Sequence, residues 1–303
     1  MLASRSASRS AMATVTGSAP GFSRLRRVAL ASPAFLWVGL LVLGPNLILV
    51  LYSFWTNRIS VVEKTFTLSN YGDAFHSEVV QTLLWRTFLI ALVSAVCAIV
   101  IGYPLAFVVV RYFGRFKFLA ALLVIVPLWV SFLMRVFSWK IILGEKGIIN
   151  TFLTSIGILD HPASIFLYSP LAIGITMTYV GIPYVFLTSY TMLERIPPSL
   201  YEASSDCGAS MWRTFWRIVW PISRPAVVIS FMLVFILVFG DYVTPTLIGG
   251  FSGTMMGSVI VQAFGGLNNW PFGAALSITT LLAALLFLGA VSPLLRKRVV
   301  LEE

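Results

Sequence analysis

Residues 202–221 read EASSDCGASMWRTFWRIVWP, and they form a short polar element between two long apolar segments. Each flanking segment exceeds the about 20 apolar residues that a helix needs to cross a membrane. The polar element therefore lies at a membrane surface, and it is the reference point for the rest of the chain. Five residues define its pattern, including an acidic residue, a glycine and a proline at fixed separations. They are Glu202, Ala203, Gly208, Ile218 and Pro221.

The composition is that of a protein embedded in lipid. Of the 303 residues, 58% are hydrophobic and only 11% are charged. Soluble domains contain about 25% charged residues, so this chain has too few polar groups to cover a surface in water. The formal net charge of +10 comes largely from Lys and Arg beside apolar segments, which indicates membrane topology rather than a nucleic-acid partner. The two cysteines, Cys97 and Cys207, predict neither a disulfide framework nor a zinc site.

Six segments are long and apolar enough to span a membrane. In lipid every backbone polar group must be bonded within the protein, so each segment is predicted to be a helix. The predicted fold class is therefore an all-α polytopic membrane protein with six transmembrane helices. The predicted spans are residues 31–54, 87–110, 118–143, 169–193, 225–248 and 272–295.

The distribution of Lys and Arg sets the orientation of these spans. Most of the 21 basic residues fall before the first span, in residues 111–117 and 194–224, and just after the last span. Because cytoplasmic loops carry the excess of Lys and Arg, both termini and these two loops are predicted to be cytoplasmic. The periplasmic side then receives residues 55–86, 144–168 and 249–271.

The chain is divided into a membrane domain and two tails. Residues 1–30 are rich in Arg and Ser, and no acidic residue precedes Glu63. They are interpreted as a flexible basic cytoplasmic tail, and the alternative is an organellar transit peptide. Residues 31–298 form the membrane domain, and residues 299–303 form a short cytoplasmic tail.

The cytoplasmic loop 194–224 is predicted to begin with a short helix. Ser199 precedes Glu202 by three residues, which is the spacing of a capping box, so the helix is expected to start at Ser199. Gly208 is placed to end it, because glycine tolerates the left-handed conformation of a helix cap. The small residues in this helix would let a partner surface approach closely.

A second short helix is predicted to follow the glycine. Ser210 caps it, residues 211–219 form it, and Pro221 terminates it. Isolated helices of this length are marginal in water, so both need a surface to rest on. That surface is a partner protein, or, for the half rich in Trp and Arg, the inner leaflet of the membrane.

The spacing of this loop matches a known pattern: Glu-Ala-Ala, three residues, Gly, nine residues, Ile-x-Leu-Pro. The chain departs from it at Ser204, where Ala is usual, and at Trp220, where Leu is usual. It matches at Glu202, Ala203, Gly208, Ile218 and Pro221. The loop thus resembles the cytoplasmic coupling loop of ABC importer permeases, which docks on an ATPase subunit.

The resemblance extends over about residues 30–298. It is most specific to the first of the two permeases of spermidine/putrescine-type importers, a branch that also serves opine- and phosphonate-like solutes. The segments that carry it are residues 102–106, 131–139, 147–150, 240–250 and 269–273.

The resemblance implies a permease subunit of the bacterial inner membrane that is not itself an enzyme. It would form half of the pore for a small solute, expected to be a polyamine, delivered by a periplasmic binding protein. Its other partners would be a second permease, membrane lipid, and an ATPase dimer that holds ATP and magnesium. The implied ATPase-coupling residues are Glu202, Ala203, Ser204, Gly208, Ile218 and Pro221.

No cofactor, catalytic or metal site is predicted in the chain itself. The sequence contains no Gly-x-x-x-x-Gly-Lys-Ser/Thr loop for binding nucleotide phosphates. The two histidines, His76 and His161, are isolated from each other and from paired carboxylates. An ion-coupled secondary transporter and a membrane scaffold remain as alternative functions, but neither needs a loop of this spacing.

Charged residues in or beside the spans have two interpretations. In the first, Asp241 pairs with Arg135 or Lys140 and holds two helices together. In the second, Asp241 lines the solute path and attracts a cation, with aromatic rings adding cation–π contacts. For the aromatic residues the alternative is the interfacial belt of the membrane. The candidate pathway residues are Asp241, Tyr242, Arg135, Trp139 and Trp129.

Overall fold

A computed structural model describes residues 24–58, 61–161 and 163–296, and these residues are largely helical. The chain comprises two compact units, Met1–Ile48 and Leu49–Glu303. The all-α class predicted from hydropathy is confirmed. Of the predicted basic tail, residues 1–23 lie outside the described residues, as does the whole predicted tail 299–303.

The first third of the chain contains two long helices, a short helix and a strand pair. The strands pair antiparallel, with Thr56 opposite Glu63. The long helix α3 begins where the Ser77 hydroxyl accepts the N–H of Val80, a cap that lets the helix start ahead of the predicted span. The elements are α1 (Arg24–Ser53), β1 (Thr56–Arg58), β2 (Val61–Glu63), α2 (Ser69–His76) and α3 (Glu78–Tyr112).

The third predicted span is broken. Instead of one helix over 118–143, the two halves meet at an angle of 95° near Val130. Pro127 lies in the 3₁₀ turn before the break and has no N–H to donate, so the helical ladder stops there. The elements are a 3₁₀ turn (Gly114–Phe116), α4 (Lys117–Ile125), a 3₁₀ turn (Val126–Trp129), α5 (Phe132–Leu143) and α6 (Ile148–Ser155).

The middle of the chain carries a span, the polar loop and a second span. The Ser169 hydroxyl caps α7 by accepting the N–H of Ala172 at 3.2 Å. The elements are a 3₁₀ turn (Ser164–Phe166), α7 (Pro170–Leu193), α8 (Pro198–Asp206), α9 (Met211–Thr214), a π-helical turn (Phe215–Val219) and α10 (Trp220–Phe239).

The last quarter contains the final span. Helix α10 ends at Phe239, so the predicted span 225–248 extends too far at its C-terminal end, and Asp241 lies beyond the helix. The elements are a π-helical turn (Pro245–Gly249), α11 (Met256–Phe264), α12 (Trp270–Val291) and α13 (Pro293–Arg296).

Among the residues that the structure describes, five helices are long and apolar enough to cross a membrane, and the bent pair around Val130 makes six if it is counted as one span. Large apolar side chains remain exposed along them, including Val93 and Val100 of α3 and Leu286 of α12. Such surface is stable only against lipid or another apolar chain. The five helical segments are Leu36–Ser53, Glu78–Tyr112, Pro170–Leu193, Met211–Phe239 and Trp270–Leu295.

Three helices, α3, α7 and α10, form the core. One face of α3 is built from small buried residues at helical spacing, which lets the neighbouring backbones approach closely. At Gly102, a Cβ atom would lie 3.0 Å from Cβ of Val185 on α7. The small residues of this face are Ala91, Ala95, Ala98, Gly102 and Ala106.

Candidate functional site

The polar loop folds as two helices joined at a glycine. Gly208 has φ of +70°, the left-handed conformation that glycine adopts without strain. Its N–H donates to the Ser205 carbonyl at 2.8 Å, and the N–H of Ala209 donates to the Ser204 carbonyl at 3.0 Å, so the end of α8 is capped. The predicted role of Gly208 as a helix end agrees with this geometry.

The start of α8 differs from the prediction. The helix begins at Pro198, and its N-cap is Pro197, which makes no side-chain capping bond. The predicted capping box between Ser199 and Glu202 is therefore wrong. Proline fits the first helical position because the N–H that it lacks would have no acceptor there. The helix therefore begins one residue earlier than predicted.

The second helix begins as predicted and ends elsewhere. The Ser210 hydroxyl accepts the N–H of Arg213 at 3.4 Å. Pro221 does not terminate the helix, because one continuous helical segment runs from Met211 to Phe239. The residues before Pro221 form a π-helical turn, and this local change of bonding accommodates the missing proline N–H. The loop is thus joined rigidly to α10.

A buried hydrogen bond fixes the angle between the two short helices. The hydroxyl groups of Ser204 on α8 and Thr214 on α9 are 2.7 Å apart, and both side chains are buried. Ser204 therefore makes a contact that the usual alanine at this position cannot make. Between the helices lies a groove of about 410 Å³, lined by Leu200, Ala203, Ser204, Cys207, Ala209, Arg213, Thr214, Arg217 and Ile218.

The two residues that open the loop pattern face outward. Glu202 and Ala203 are exposed on α8, and the Glu202 carboxylate makes no hydrogen bond or ion pair within the described ranges. Arg213 and Arg217 are exposed on the opposite side of the groove. The loop thus presents an acidic helix and a basic helical segment beside an open groove.

Three contacts fasten the loop to α3 and to the start of α4. The guanidinium carbon of Arg111 lies 4.5 Å from the ring centroid of Tyr201, and the hydroxyl groups of Tyr103 and Ser223 are 2.6 Å apart. An exposed salt bridge of 2.7 Å, weak because water screens it, joins Lys117 to Glu194. Burial raises the pKa of Tyr201, and the charge of Arg111 opposes this rise, so the phenol stays neutral at pH 7.

These anchors were missed by the sequence prediction. Tyr103 and Ser223 are 120 residues apart, and no periodicity links positions at such a separation. The aromatic residues of the loop are the sequence signal that could have indicated a contact with α3. Tyr103 packs edge-on against Phe215 and Trp220, at 6.2 and 5.7 Å between ring centroids. The rings connect the loop to the helical core.

The predicted pathway residues differ in their exposure. Asp241 is buried, and its carboxylate accepts the N–H groups of Val243 at 3.0 Å and Thr244 at 3.1 Å. Tyr242 beside it is 48% exposed, and Trp129 at the helix break is 77% exposed.

The predicted ion pair of Asp241 with a basic residue of α5 is not present. Within the described ranges, neither Arg135 nor Lys140 makes a salt bridge, so the interpretation of a structural pair is wrong for this structure. Asp241 is satisfied by the backbone of its own turn. Arg135 is buried, and its guanidinium lies over the ring of Phe132 at 5.8 Å.

A second groove, not foreseen from the sequence, lies between α3 and α7. Its volume is about 710 Å³, and its lining is almost entirely apolar. Trp139 lies against Tyr179 there, with ring centroids 5.3 Å apart. Sequence inspection placed Trp139 among the pathway residues and gave no signal for Tyr179, which lies in a uniformly apolar span.

No group of three or more His, Cys, Asp or Glu side chains that could hold a metal occurs in the part of the chain that the structure describes.

We expect replacement of Gly208 by Val to weaken the loop. The left-handed φ would cost a non-glycine residue about 1–2 kcal/mol, and a β-branched side chain is the least tolerant. Space is not the cause, because a Cβ atom there would meet nothing within 4 Å. Gly208→Asn is the matched control, since Asn enters this conformation readily. The midpoint of thermal unfolding measures the effect, and equal midpoints for the Val and Asn variants would contradict it.

A family model and curated relatives agree on the family of this chain. Residues 13–299 match the family described as "Binding-protein-dependent transport system inner membrane component". The spermidine/putrescine transport system permease protein PotB of Escherichia coli (strain K12) is 35% identical over 270 residues, covering 88% of this chain and 98% of the relative. The protein of the same name from Haemophilus influenzae is 33% identical over 272 residues, covering 88% and 94%.

Solved structures share the fold at low sequence identity. The bacterial ABC transporter involved in the import of the acidic polysaccharide alginate has a chain that superposes with a TM-score of 0.71 at 15% identity, covering 91% of this chain and 98% of that one. A chain of the MetNI methionine ABC transporter gives a TM-score of 0.55 at 17% identity, covering 73% and 98%.

The family assignment removes the ion-coupled transporter and the scaffold as alternatives. It also agrees with an exposed polar loop that is joined to the core, and with apolar helices whose surfaces are stable in lipid. Members of this family are transport subunits and not enzymes, and they reside in the inner membrane as multi-pass proteins. The chain belongs to the family of inner membrane components of binding-protein-dependent transport systems, and it is a permease subunit of an ABC importer.

Proposed function

We propose that this permease imports a polyamine of the spermidine or putrescine kind, as one of two permeases in the complex. The solute arrives on a periplasmic binding protein, and a cytoplasmic ATPase dimer supplies the energy. The observation that carries the proposal is the exposed helix–Gly–helix element on a chain 33–35% identical, over most of its length, to relatives named as spermidine/putrescine permeases.

The coupling element supports docking of the ATPase. Glu202 and Ala203 offer an acidic and a small residue beside an open groove, and Gly208 sets the bend. Ile218 forms part of the groove wall, and Ser204 holds the two helices together. The partner ATPase brings ATP and magnesium, and this chain brings the surface that receives its movement.

Movement of the element passes to the spans through two routes. Pro221 lies inside the continuous segment Met211–Phe239, so displacement of α9 displaces α10 directly. The Tyr103–Ser223 hydrogen bond and the Arg111–Tyr201 contact pass it to α3. ATP binding and solute binding thereby bias one two-state element from opposite sides of the membrane.

The pathway residues remain candidates for contact with a cationic solute. Each aromatic ring that meets an amine contributes about 0.5–2 kcal/mol, and Tyr242, Trp129 and Trp139 keep part of their surface exposed. Asp241 supplies negative charge beside Tyr242. Arg135 is the exception, because its charge repels a polyamine.

Uptake of labelled spermidine and putrescine tests the proposal. Cells express the whole transporter, and the control cells lack only this chain. We expect saturable, ATP-dependent uptake that excess unlabelled polyamine suppresses. Absence of polyamine uptake, with the complex intact and its ATPase working, would reject the polyamine and leave the opine- and phosphonate-like solutes to be assayed.

A further inference from the structure

The side chain of Asp241 binds the backbone that follows it. Its Oδ1 atom accepts the N–H of Val243 at 3.0 Å, and its Oδ2 atom accepts the N–H of Thr244 at 3.1 Å. An Asp that accepts N–H groups two and three residues later acts as a helix N-cap, since the first N–H groups of a helix have no acceptor within it. Only 8% of Asp241 is exposed. Both oxygens of this buried carboxylate are therefore engaged by the chain itself.

The element that Asp241 caps is a short helical segment beyond the end of α10. Helix α10 ends at Phe239, and helical conformation resumes at Val243 and continues to Gly249. The fifth predicted span is thus interrupted at residues 240–242. Such an interruption frees backbone N–H groups at the start of the second piece, and in an apolar surround these groups need an acceptor from the protein. Asp241 supplies it.

Close backbone packing holds both ends of this segment. Before its start, a Cβ atom on Gly257 of α11 would lie 2.6 Å from the carbonyl oxygen of Asp241 and 3.2 Å from Cβ of Tyr242. At its end, a Cβ atom on Gly249 would lie 2.8 Å from Cδ1 of Ile173 on α7. Because both ends are packed without free space, a small displacement of the capped turn disturbs its contacts with α7 and α11.

Tyr242 is the accessible residue of the capped turn. It is 48% exposed, whereas Asp241 is buried. Tyr242 lies between the capping carboxylate and the two N–H groups that the carboxylate binds, so these bonds fix the backbone from which its side chain projects. The hydroxyl of Thr246 adds a bond to the Tyr242 carbonyl at 2.6 Å. The group of this turn that a solute can reach is therefore Tyr242 and not the carboxylate.

We propose that Asp241 is a positioning residue for transport. As an N-cap, its carboxylate holds Tyr242 and the segment 243–249 in place, and its charge does not bind the solute. The proposal deepens the proposed function and rests on it, because transport is measured as spermidine uptake. It replaces a direct contact between Asp241 and a cationic solute by an indirect role through Tyr242 and the capped segment.

Two variants separate the cap from the charge. Asp241→Asn removes the charge but keeps an acceptor at the cap, and Asn and Asp are about equally good N-caps. Asp241→Glu keeps the charge but places the carboxylate one methylene further from the backbone, and Glu is not a favoured N-cap. Spermidine uptake is measured per assembled complex, and the midpoint of thermal unfolding is measured on the chain in detergent. Asp73→Glu, the same change at an exposed acid of α2, is the matched control.

We expect uptake with Asp241→Asn to stay within about threefold of the wild type and uptake with Asp241→Glu to fall by about tenfold, the size of effect that a lost cap gives. We expect the unfolding midpoints to follow the same order, and Asp73→Glu to change neither quantity. Retained uptake with Glu and lost uptake with Asn would show that a cation meets the charge, and this result would overturn the proposal.

Two further outcomes also overturn it. An equal loss of uptake with both variants would mean that cap geometry alone is not sufficient, and unchanged uptake per complex with a lower midpoint for Glu would mean a role in stability alone. If the wild-type complex takes up no spermidine, the proposed solute is rejected, and the midpoints decide separately. A midpoint for Asn close to the wild type and above that for Glu upholds Asp241 as the cap, and any other order overturns it.

Discussion

Replacing Glu202 with Arg is expected to abolish ATP-driven uptake while the chain still folds and reaches the membrane. The carboxylate is exposed and makes no hydrogen bond or ion pair within the described ranges, so the isolated chain loses nothing when it is replaced. In the docking that we propose, however, the reversed charge would meet an ATPase surface that receives an acid, and like charges at a contact are strongly unfavourable. We expect uptake to fall by about 100-fold or more, from weaker docking.

Three quantities are measured on the same cells: the amount of the chain in the membrane, the amount of ATPase that copurifies with it, and solute uptake. Glu78→Arg is the matched control. Glu78 is also an exposed acid, but it lies at the start of the 35-residue helix α3, and Arg111 near the other end of that helix contacts the coupling loop. Normal copurification of the ATPase and normal solute uptake with Glu202→Arg would show that Glu202 does not contact the ATPase.

Replacing Gly181 with Leu is expected to prevent correct packing of the helical core. A Cβ atom at Gly181 would lie 2.8 Å from Cγ1 of Val234 on α10 and 3.0 Å from Cβ of Ala98 on α3. Three helices meet at this point, so no one of them can move away without losing contact with the others. Overpacking of a tight core costs about 1–3 kcal/mol for small additions, and a leucine exceeds this range.

The same change at Gly174 is the control. Gly174 lies two turns earlier on the same helix, and a Cβ atom there would meet nothing within 4 Å. Yield of monodisperse protein and the midpoint of thermal unfolding are compared for the two variants. We expect a severe loss for Gly181→Leu and little change for Gly174→Leu. Equal effects at both positions would mean that the close approach of α3, α7 and α10 is not essential.

The helical class and the helix–Gly–helix shape of the polar loop were predictable because both depend on local properties. An apolar run of span length must be helical in lipid. Gly208 predicts a helix end because glycine adopts the left-handed conformation of a helix cap. Helix ends were less predictable. The effect of a proline depends on its position: Pro198 begins a helix, Pro127 precedes a break, and Pro221 lies inside a helical segment that continues.

The candidate pathway was the least predictable part. Charge and aromaticity singled out Asp241, Arg135 and Trp139, yet these properties do not reveal which atoms meet. Asp241 finds its partners two and three residues away in its own turn, whereas the sequence suggested a partner on another helix. Tyr179 packs against Trp139 in the wall of a groove that no pattern in an apolar span could indicate.

The sequence by itself determined that the chain is a helical membrane protein, that its polar loop has a coupling pattern, and which family it resembles. These follow from hydropathy, glycine placement and spacing, which act within a few turns of chain. Only the tertiary structure decided that Ser204 bonds Thr214, that Tyr103 bonds Ser223, and that Arg135 is buried without a counter-ion. Such contacts depend on the packing of distant helices, and side-chain pairing across them is set by three-dimensional distance rather than by position along the chain.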